Sequence, residues 1–408
     1  MDNCVIPQGY KATALGIIPQ EWEVMRLGDI VSITSGESPS LYHLKAKGKY
    51  PYVKVEDLNN CEKYQESSRE YSDDNNTTIK AGSIIFPKRG ASILNNKVRI
   101  AAKDIQMDSN MMAITPHTAI VDTEFLYIRI LHERLYRIAD TSSIPQINNK
   151  HIIPYKIAVP PLAEQRKIAE VLGVWDEAIE KQARLIEKLA LRKRGLMQRL
   201  LTGKLRLPNF NEEWRNTIFS SVIEKMSNGY TYDVNGVGNV PITRIETISK
   251  GIIDYSKVGN VLYVDELEKY KLHRGDILFS HINSIEHIGK VAIFEGDEDL
   301  YHGMNLLLIR TKEVMSNIYL YYFLSSPIAI RKVRSLAKKA VNQASISIAE
   351  LKKLVIYIPE IKEQTAIAEV LTAADREIEL AKEKLKRLRR QKRGLMQQLL
   401  TGKKRVKY

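Results

Sequence analysis

The sequence predicts an α+β fold in which two β-rich globular domains are separated by two long helices that pair as an antiparallel coiled coil. Two observations predict it. Residues 160–204 recur at 359–403 without a gap, 199 positions later, and 23 of the 45 aligned positions are identical. The segments 22–157 and 214–356 instead carry short apolar runs bounded by turn residues, which are typical of strands.

These two patterns divide the chain into four parts. Residues 1–158 form the first globular domain, and 159–205 form the first long helix. Residues 206–357 form the second globular domain, and 358–408 form the second long helix with a basic tail. Because each copy of the repeat follows one globular domain, we expect an internal pseudo-two-fold relation.

The repeated segments follow a heptad pattern, in which apolar residues return at alternating spacings of three and four. Each copy starts near a proline, Pro161 or Pro359, and ends at a glycine, Gly203 or Gly402, which matches the residues preferred at helix ends. We expect each helix to span about 38 residues, or roughly 57 Å. The predicted seam consists of Ile168, Leu172, Trp175, Ile179, Ile186, Leu189, Ile367, Leu371, Ile378, Leu385 and Leu388.

The order of the four parts sets the direction of the second helix. The first helix leads from the first domain toward the second, so the second helix must run back to bury its seam against the first. We therefore predict an antiparallel pair. Gly195 and Gly394 lie at equivalent positions inside the helices, where glycine costs about 1 kcal/mol relative to alanine. Either the close approach of another backbone or a bend of the helix would explain them.

The net charge of +14 is concentrated in the repeated segments. Residues 160–204 contain ten basic and six acidic residues, and 359–408 contain fourteen and seven, so together they hold 11 of the 14 excess positive charges. A basic surface favours a polyanionic partner such as nucleic acid. A solvated, lysine-rich helix surface has the same composition, so charge alone does not decide between the two.

Polar loops in each globular domain carry residues suited to contact DNA. In both domains a turn glycine and a short apolar strand precede the first loop, as in 81–90 and 274–283. Arginine and lysine can bind guanine, asparagine and glutamine can bind adenine, and serine can hold phosphate. Ordinary polar surface turns contain the same residue types, so the sequence alone does not distinguish them from DNA-contacting loops. The candidates are Lys88, Arg89, Ser92, Asn95, Asn96, Lys97, Arg99, Gln146, Asn148 and Asn149 in the first domain and Ser280, His281, Asn283, His287, Lys290, Lys338, Lys339, Asn342 and Gln343 in the second.

The chain lacks the motifs of the common catalytic sites. A phosphate-binding loop is excluded because the two TGK segments lack the preceding glycine and the following serine or threonine. The tetrad of Asn or Asp, two prolines and an aromatic residue, with which a DNA amino-methyltransferase holds a flipped base, is missing as well. His281, His287, His302 and Glu286 do not lie at ligand spacing on one element. We therefore predict a binding protein with no catalytic residue, metal or cofactor of its own.

The compartment follows from what the sequence does not contain. The N-terminus lacks the basic and apolar regions of a secretory signal, and no run approaches the roughly 18 apolar residues of a spanning helix. Cys4 and Cys61 are too few for a disulfide framework. We expect a cytoplasmic protein without a membrane partner.

The duplicated segments resemble one known family, the specificity subunits of type I restriction–modification systems. The resemblance rests on PPLAEQRKIAEVLGVWDEAIE followed by KRGLMQRLLTGK, on PEIKEQTAIAEVLTAADREIE followed by KRGLMQQLLTGK, and on GYKATALGIIPQEWEVMRLGDI near the start. It covers nearly all 408 residues. The second copy departs from the usual proline pair, since it reads Pro359-Glu360.

The resemblance implies a non-catalytic subunit in which each globular domain is a target-recognition domain for one half of a bipartite, asymmetric DNA site. The coiled coil would fix the gap between the halves. The implied partners are double-stranded DNA, two modification subunits that carry S-adenosylmethionine and methylate adenine, and restriction subunits that use ATP and magnesium.

Two other functions remain open at this point. A two-headed coiled-coil scaffold that binds proteins would suit the nearly neutral charge of each globular domain. A nuclease-like site would need Glu360 and Lys362, which lie in a segment that faintly resembles a carboxylate–lysine pair. Strong salt dependence of duplex binding would argue against the scaffold.

Overall fold

The computed structural model describes residues 6–141, 143–233, 237–339 and 344–407. The predicted α+β class is confirmed. The chain forms two compact units, of which the first comprises Met1–Gln182 with Lys384–Tyr408 and the second comprises Ala183–Glu383. Each unit therefore contains one globular domain and a part of each long helix.

The first unit is built from short strands and short helices. Its strands are β1 (Tyr10–Thr13), β2 (Gly16–Pro19), β3 (Glu23–Arg26), β4 (Val31–Ser35), β5 (Tyr50–Val53), β6 (Tyr64–Gln65), β7 (Glu70–Ser72), β8 (Ile84–Pro87), β9 (Arg99–Ala101), β10 (Gln106–Met107), β11 (Met111–Pro116) and β12 (Lys156–Val159). Its short helices are α1 (Leu27–Ile30), α2 (Thr123–Glu133), α3 (Leu135–Ile138) and α4 (Asn149–Ile152), and the long helix α5 (Leu162–Leu200) starts in it.

The core of the first unit joins its largest sheet to a long helix. That sheet has the order β4-β11-β8-β9-β6, and smaller sheets have the orders β10-β5-β7, β12-β3 and β1-β2. Phe86 of the sheet, Phe125 of α2, and Ile168 and Leu172 of α5 belong to one buried cluster. The globular domain is thus anchored to the first turns of α5 by shared apolar packing.

The second unit repeats this plan with different strands. Its strands are β13 (Arg215–Ile218), β14 (Ile223–Asn228), β15 (Val240–Ile242), β16 (Gly259–Val261), β17 (Ile277–Phe279), β18 (Ile282–Asn283), β19 (Val291–Ile293), β20 (Leu307–Thr311), β21 (Lys338–Lys339), β22 (Ala344–Ser345) and β23 (Val355–Ile358). Its helices are α6 (Phe219–Val222), α7 (Asn317–Ser325), α8 (Pro327–Ser335), α9 (Ile348–Lys352) and the start of α10 (Ile361–Leu400).

The largest sheet of the second unit has the order β14-β20-β17-β19. Beside it lie the sheets β18-β22-β21, β15-β16 and β13-β23. Phe279 of the sheet and Tyr319 of α7 share a buried cluster with Ile367 and Leu371 of α10. Both globular domains are therefore anchored to a long helix at the same two positions of the repeat.

The two long helices are confirmed, with 39 residues in α5 and 40 in α10. Six of the predicted seam residues are buried, namely Ile168, Leu172, Leu189, Ile367, Leu371 and Ile378. The other five are half-buried, namely Trp175, Ile179, Ile186, Leu385 and Leu388. Four of the buried ones pack in the cores of the globular domains, so the seam also serves to hold these domains on the helices. No helix in the described ranges has the unbroken apolar length needed to cross a membrane.

Polar contacts show that the helices run antiparallel within each unit. In the first unit the Lys392 ammonium is paired with Asp176, and Leu399 and Leu400 lie in the same buried cluster as Ile168 and Leu172. In the second unit Lys193 Nζ lies 2.5 Å from Asp375 Oδ1, while Leu189 packs with Ile378. Contacting residue numbers thus rise along one helix as they fall along the other. The two ion pairs join the same positions of the repeat, and they occupy polar gaps in the apolar seam, where such pairs specify register.

The two interior glycines are not explained by close packing. A Cβ built at Gly195 or Gly394 would meet no described atom within 4 Å, apart from the backbone of its own helix. Of the two explanations offered by the sequence, the close approach of another backbone is therefore wrong for the described residues.

The glycines that end the long helices provide a matched pair for substitution. Gly203 and Gly402 have φ of +71° and +70°. A Cβ at Gly402 would lie 2.3 Å from Cδ of Pro19, whereas one at Gly203 would lie 3.6 Å from the nearest ring atom of Trp214. We expect Gly203→Ala to lower the free energy of unfolding by about 1–2 kcal/mol through left-handed strain alone. Gly402→Ala should cost about 1–3 kcal/mol more through overpacking. Urea denaturation of both variants measures this, and equal losses would contradict it.

Candidate nucleic-acid interface

The structure brings together the two predicted loops of the first unit. The Gly90 amide donates to Pro145 O at 2.9 Å, and the Ile147 amide donates to Lys88 O at 2.9 Å. Arg89 and Gln146 face each other in an isolated β-bridge. The loop after β8 and the segment before α4 therefore form one continuous surface, although 57 positions separate Arg89 from Gln146.

The candidates in this surface differ in exposure. Arg89, Asn95 and Asn149 are exposed. The others are half-buried, namely Lys88, Ser92, Asn96, Lys97, Arg99, Gln146 and Asn148. Burial, and to a smaller extent the neighbouring charge of Arg89, lower the pKa of the Lys88 ammonium. An anionic partner would stabilise the charged form of Lys88, because it would replace the hydration that this side chain loses through burial.

Three of these candidates also hold the fold in place. The Arg99 guanidinium donates to Leu58 O, Cys61 O and Val98 O, each at 2.8 Å. Asn96, at φ +50°, donates to Leu131 O and accepts from the Leu135 amide. Asn148 is the N-cap of α4, and its main-chain amide donates to His151 Nδ1 at 3.1 Å. Sequence reasoning counted these side chains as DNA-facing, and it did not foresee these intramolecular hydrogen bonds.

The predicted loops of the second unit also meet. Asn283 of β18 pairs with Ala344 of β22, and Lys339 of β21 pairs with the same residue. The Ile346 amide donates to His281 O at 2.9 Å, which corresponds to the bond between Ile147 and Lys88 in the first unit. Each unit thus places a loop that follows a central strand against a segment that precedes a short helix. The second surface is a small sheet.

Candidates in the second unit lie at different depths. His287 and Lys338 are exposed, Asn283 and Lys290 are half-buried, and Ser280 and His281 are buried. The side chain of Lys339 and all of Asn342 and Gln343 lie outside the described residues.

Hydrogen bonds occupy several of these side chains. Asn283 Nδ2 donates to Ser280 Oγ at 3.1 Å, and Lys290 Nζ donates to Ser249 O at 2.8 Å. Burial lowers the pKa of His281 to about 4, so this imidazole is neutral near pH 7. It can therefore contribute a neutral hydrogen-bonding group but no positive charge.

Sequence reasoning missed a buried carboxylate at the start of each long helix. In the first unit Glu164 accepts hydrogen bonds from Trp22 Nε1 at 3.0 Å and from Arg405 Nε at 2.6 Å. In the second unit Glu363 does the same with Trp214 Nε1 at 3.1 Å and Arg206 Nε at 2.6 Å. The sequence contained a signal for these pairs, because the two glutamates are 199 positions apart, as are the two arginines, and this is the offset of the repeat.

The glutamine that follows each buried carboxylate ties the helix to its globular domain. Gln165 accepts from the Asp122 amide at 2.8 Å and donates to Ile120 O at 2.9 Å. Gln364 accepts from the Ser316 amide at 3.0 Å. Asp122 and Ser316 are the N-caps of α2 and α7, so the glutamines fix the position of a core helix. These residues shape each unit.

The described part of the chain contains no group of three or more His, Cys, Asp or Glu side chains arranged to hold a metal ion. His281 and His302 are both buried, and His302 Nε2 donates to Leu306 O at 3.0 Å. The chemistry available at the two loop surfaces is therefore hydrogen bonding and charge pairing by exposed side chains.

The chain matches the family model described as the type I restriction modification DNA specificity domain twice, at residues 19–190 and 211–390. The putative type I restriction enzyme MjaX specificity subunit of Methanocaldococcus jannaschii is 43% identical over 204 residues, which is 48% of each chain. The chain thus spans about half the length of that relative. The type I restriction enzyme MjaVIII specificity subunit of the same organism is 26% identical over 421 residues, or 96% of this chain and 94% of the relative.

Two solved structures share the fold. The S subunit of a type I restriction–modification system from M. genitalium has a TM-score of 0.56 at 15% identity and covers 93% of this chain and 96% of its own. A chain from a study of complex assembly and conformational transition in the type I R-M system has a TM-score of 0.63 at 18% identity, with 94% and 99% covered.

Proposed function

Because the chain belongs to the type I restriction modification DNA specificity family, we propose that it reads a bipartite, asymmetric site on double-stranded DNA. The observation that carries this proposal is the pair of loop surfaces, one in each unit, which occupy equivalent places but carry different residues. The first surface exposes Arg89, Asn95 and Asn149, and the second exposes His287 and Lys338. Since different side chains contact different base edges, the two half-sites should differ.

The proposed subunit is non-catalytic and acts through its partners. Two modification subunits would carry S-adenosylmethionine and methylate adenine, and restriction subunits would use ATP and magnesium to translocate and cleave DNA. The absence of recognised catalytic motifs from the sequence supports this division of labour. The complex would work in the cytoplasm, where the DNA is.

We further propose that the paired long helices determine the number of base pairs between the half-sites. A helix of 39 residues extends about 58 Å, whereas one turn of DNA rises about 34 Å. Two half-sites on one face of the duplex, separated by several unread base pairs, lie within that reach. The ion pair between Lys193 and Asp375 and its counterpart between Lys392 and Asp176 would hold the register that this spacing requires.

Two arginines of the first loop surface test the proposal. Arg89 is exposed, so Arg89→Ala should weaken binding of the cognate duplex by the assembled complex, by about 1–3 kcal/mol if it contacts a guanine, and leave thermal stability unchanged. Arg99→Ala should lower the melting temperature, because three partly buried carbonyl groups lose their donor. Anisotropy titrations and thermal melts separate the two effects. Unchanged DNA affinity in both variants would remove the first surface from the proposed interface.

A further inference from the structure

A small cleft in the second unit is lined by hydrogen-bond donors. Its volume is about 200 Å³, and its lining residues are Lys225, Ser227, Asn228, Lys269, Tyr270, His302 and Leu308. None of these described residues carries a carboxylate. Two ammonium groups, one hydroxyl, one carboxamide and one phenol can therefore donate into the same space, which is the arrangement that an oxygen-rich anion requires.

The two lysines have unneutralised charges in the part of the chain that the structure describes. Lys225 Nζ donates to the main-chain oxygen of Lys269 at 3.3 Å, and among the described residues no ion pair joins either ammonium to a carboxylate. The nearby Glu268 carboxylate accepts instead from the hydroxyl of Tyr301 at 2.8 Å. At the base of the cleft His302 is buried and, since burial lowers its pKa to about 4, it is neutral near pH 7. The cleft is thus positive through its lysines.

The sheet register places the Asn228 end of this cleft at the end of the sheet where the candidate DNA loop begins, while Lys225 pairs with Arg310, three residues farther along β14. Asn228 at the end of β14 pairs with Leu307, which pairs with Phe279 at the end of β17. The candidate loop begins at the next residue, Ser280. Because neighbouring strands lie about 4.8 Å apart, two strand spacings, or about 10 Å, separate Asn228 from the start of the loop, and Lys225 lies about 10 Å farther along β14.

We infer that Lys225, Lys269, Ser227 and Asn228 bind a phosphate of the DNA backbone next to the bases that the second loop surface contacts. The inference rests on the proposed DNA-binding function and adds a contact outside the predicted loops. Such a contact sets the position of the duplex without reading its sequence. Within the described residues this contact is found in the second unit, because Ser32 takes the position of Lys225 in the sheet of the first unit, where its hydroxyl is bonded to His117 Nε2.

The test compares two double variants of the chain assembled with its modification subunits. Lys225→Gln with Lys269→Gln removes the cleft lysines. The control, Lys312→Gln with Lys362→Gln, removes two charges that lie outside the cleft: Lys312 follows β20, two residues beyond the strand partner of Lys225, and bonds Ser221 O at 3.0 Å, while Lys362 is exposed in the first turn of α10.

The first measurement is binding of a cognate duplex at several salt concentrations. The cleft variant should bind roughly tenfold more weakly, with a slope of log K against log salt that is smaller by about one to two, and with unchanged sequence preference. The control variant should behave as the wild type. Equal behaviour of the two variants would overturn the inference, whereas a wild-type complex that binds no duplex would instead overturn the proposed function.

The second measurement identifies the source of the phosphate. Duplexes with a single neutral methylphosphonate at successive backbone positions are bound to both proteins. At one position the methylphosphonate should weaken binding by the wild type. The same substitution should have no effect on binding by the cleft variant, because that variant has already lost the contact. The opposite result would be that no backbone position behaves in this way, while inorganic phosphate competes with the duplex at constant ionic strength. That result would assign the cleft to a free anion and overturn the DNA contact.

Discussion

Replacing Arg206 with methionine should lower the free energy of unfolding by about 3 kcal/mol, because it leaves the buried carboxylate of Glu363 without its cation. The guanidinium donates to both carboxylate oxygens, at 2.6 and 2.8 Å, and this bonding raises the pKa of Arg206. Trp214 Nε1 alone cannot replace a charge-assisted, bidentate partner. Urea denaturation of the full chain measures the loss.

Two controls separate loss of the pair from loss of a surface charge. Arg215 is exposed on β13 and has no ion pair in the described residues, so Arg215→Met should change stability by less than about 0.5 kcal/mol. Adding Glu363→Gln to Arg206→Met should recover part of the loss, because the uncompensated charge disappears. A double variant that is less stable than Arg206→Met would show that the carboxylate has another role.

Removing one heptad from each long helix should shorten the spacer between the half-sites and leave both half-sites unchanged. Deleting residues 184–190 and 377–383 removes one whole heptad from each helix, so the apolar seam stays in phase. The two deleted segments face each other in the second unit, as the contact of Leu189 with Ile378 indicates. Seven residues rise about 10.5 Å, so the spacer should lose between about one and three base pairs. The readout is the methylated motif.

Deleting the heptad from α5 alone provides the contrast. The residues of α5 that follow the deletion would be displaced by one heptad relative to α10. The ion pair of Lys193 with Asp375 could then not form while both globular domains keep their contacts with the helices. This variant should lose methylation rather than acquire a new spacer. An unchanged spacer in the double deletion would rule out a role of the helices in setting it.

The long helices were predictable from the sequence because their signal is local and repeated. The apolar residues recur at heptad spacing through each copy, and the limiting proline and glycine residues lie where α5 and α10 begin and end. The sheets were not predictable in the same way. Their strands contain two to six residues, and β8 pairs with β11 across more than twenty residues of loop and strand, so no short window specifies the pairing.

The candidate surfaces could be predicted only in part. The loops after β8 and β17 were found because a turn glycine and an apolar strand precede them, and their pairing with later segments emerged from the fold. The three carbonyl groups bound by Arg99 come from residues up to 41 positions away, and Lys225 and Lys269 are 44 apart. Composition cannot distinguish an arginine that holds a loop from one that faces solvent.

The most direct test is single-molecule sequencing of DNA from a host without adenine methylation that expresses this chain with its modification subunit. We expect a bipartite, asymmetric motif with methylated adenine that is absent when this chain is omitted. If no new motif arises although both proteins are folded and associated, the chain does not direct methylation, and the two-headed protein scaffold becomes the better explanation of its fold.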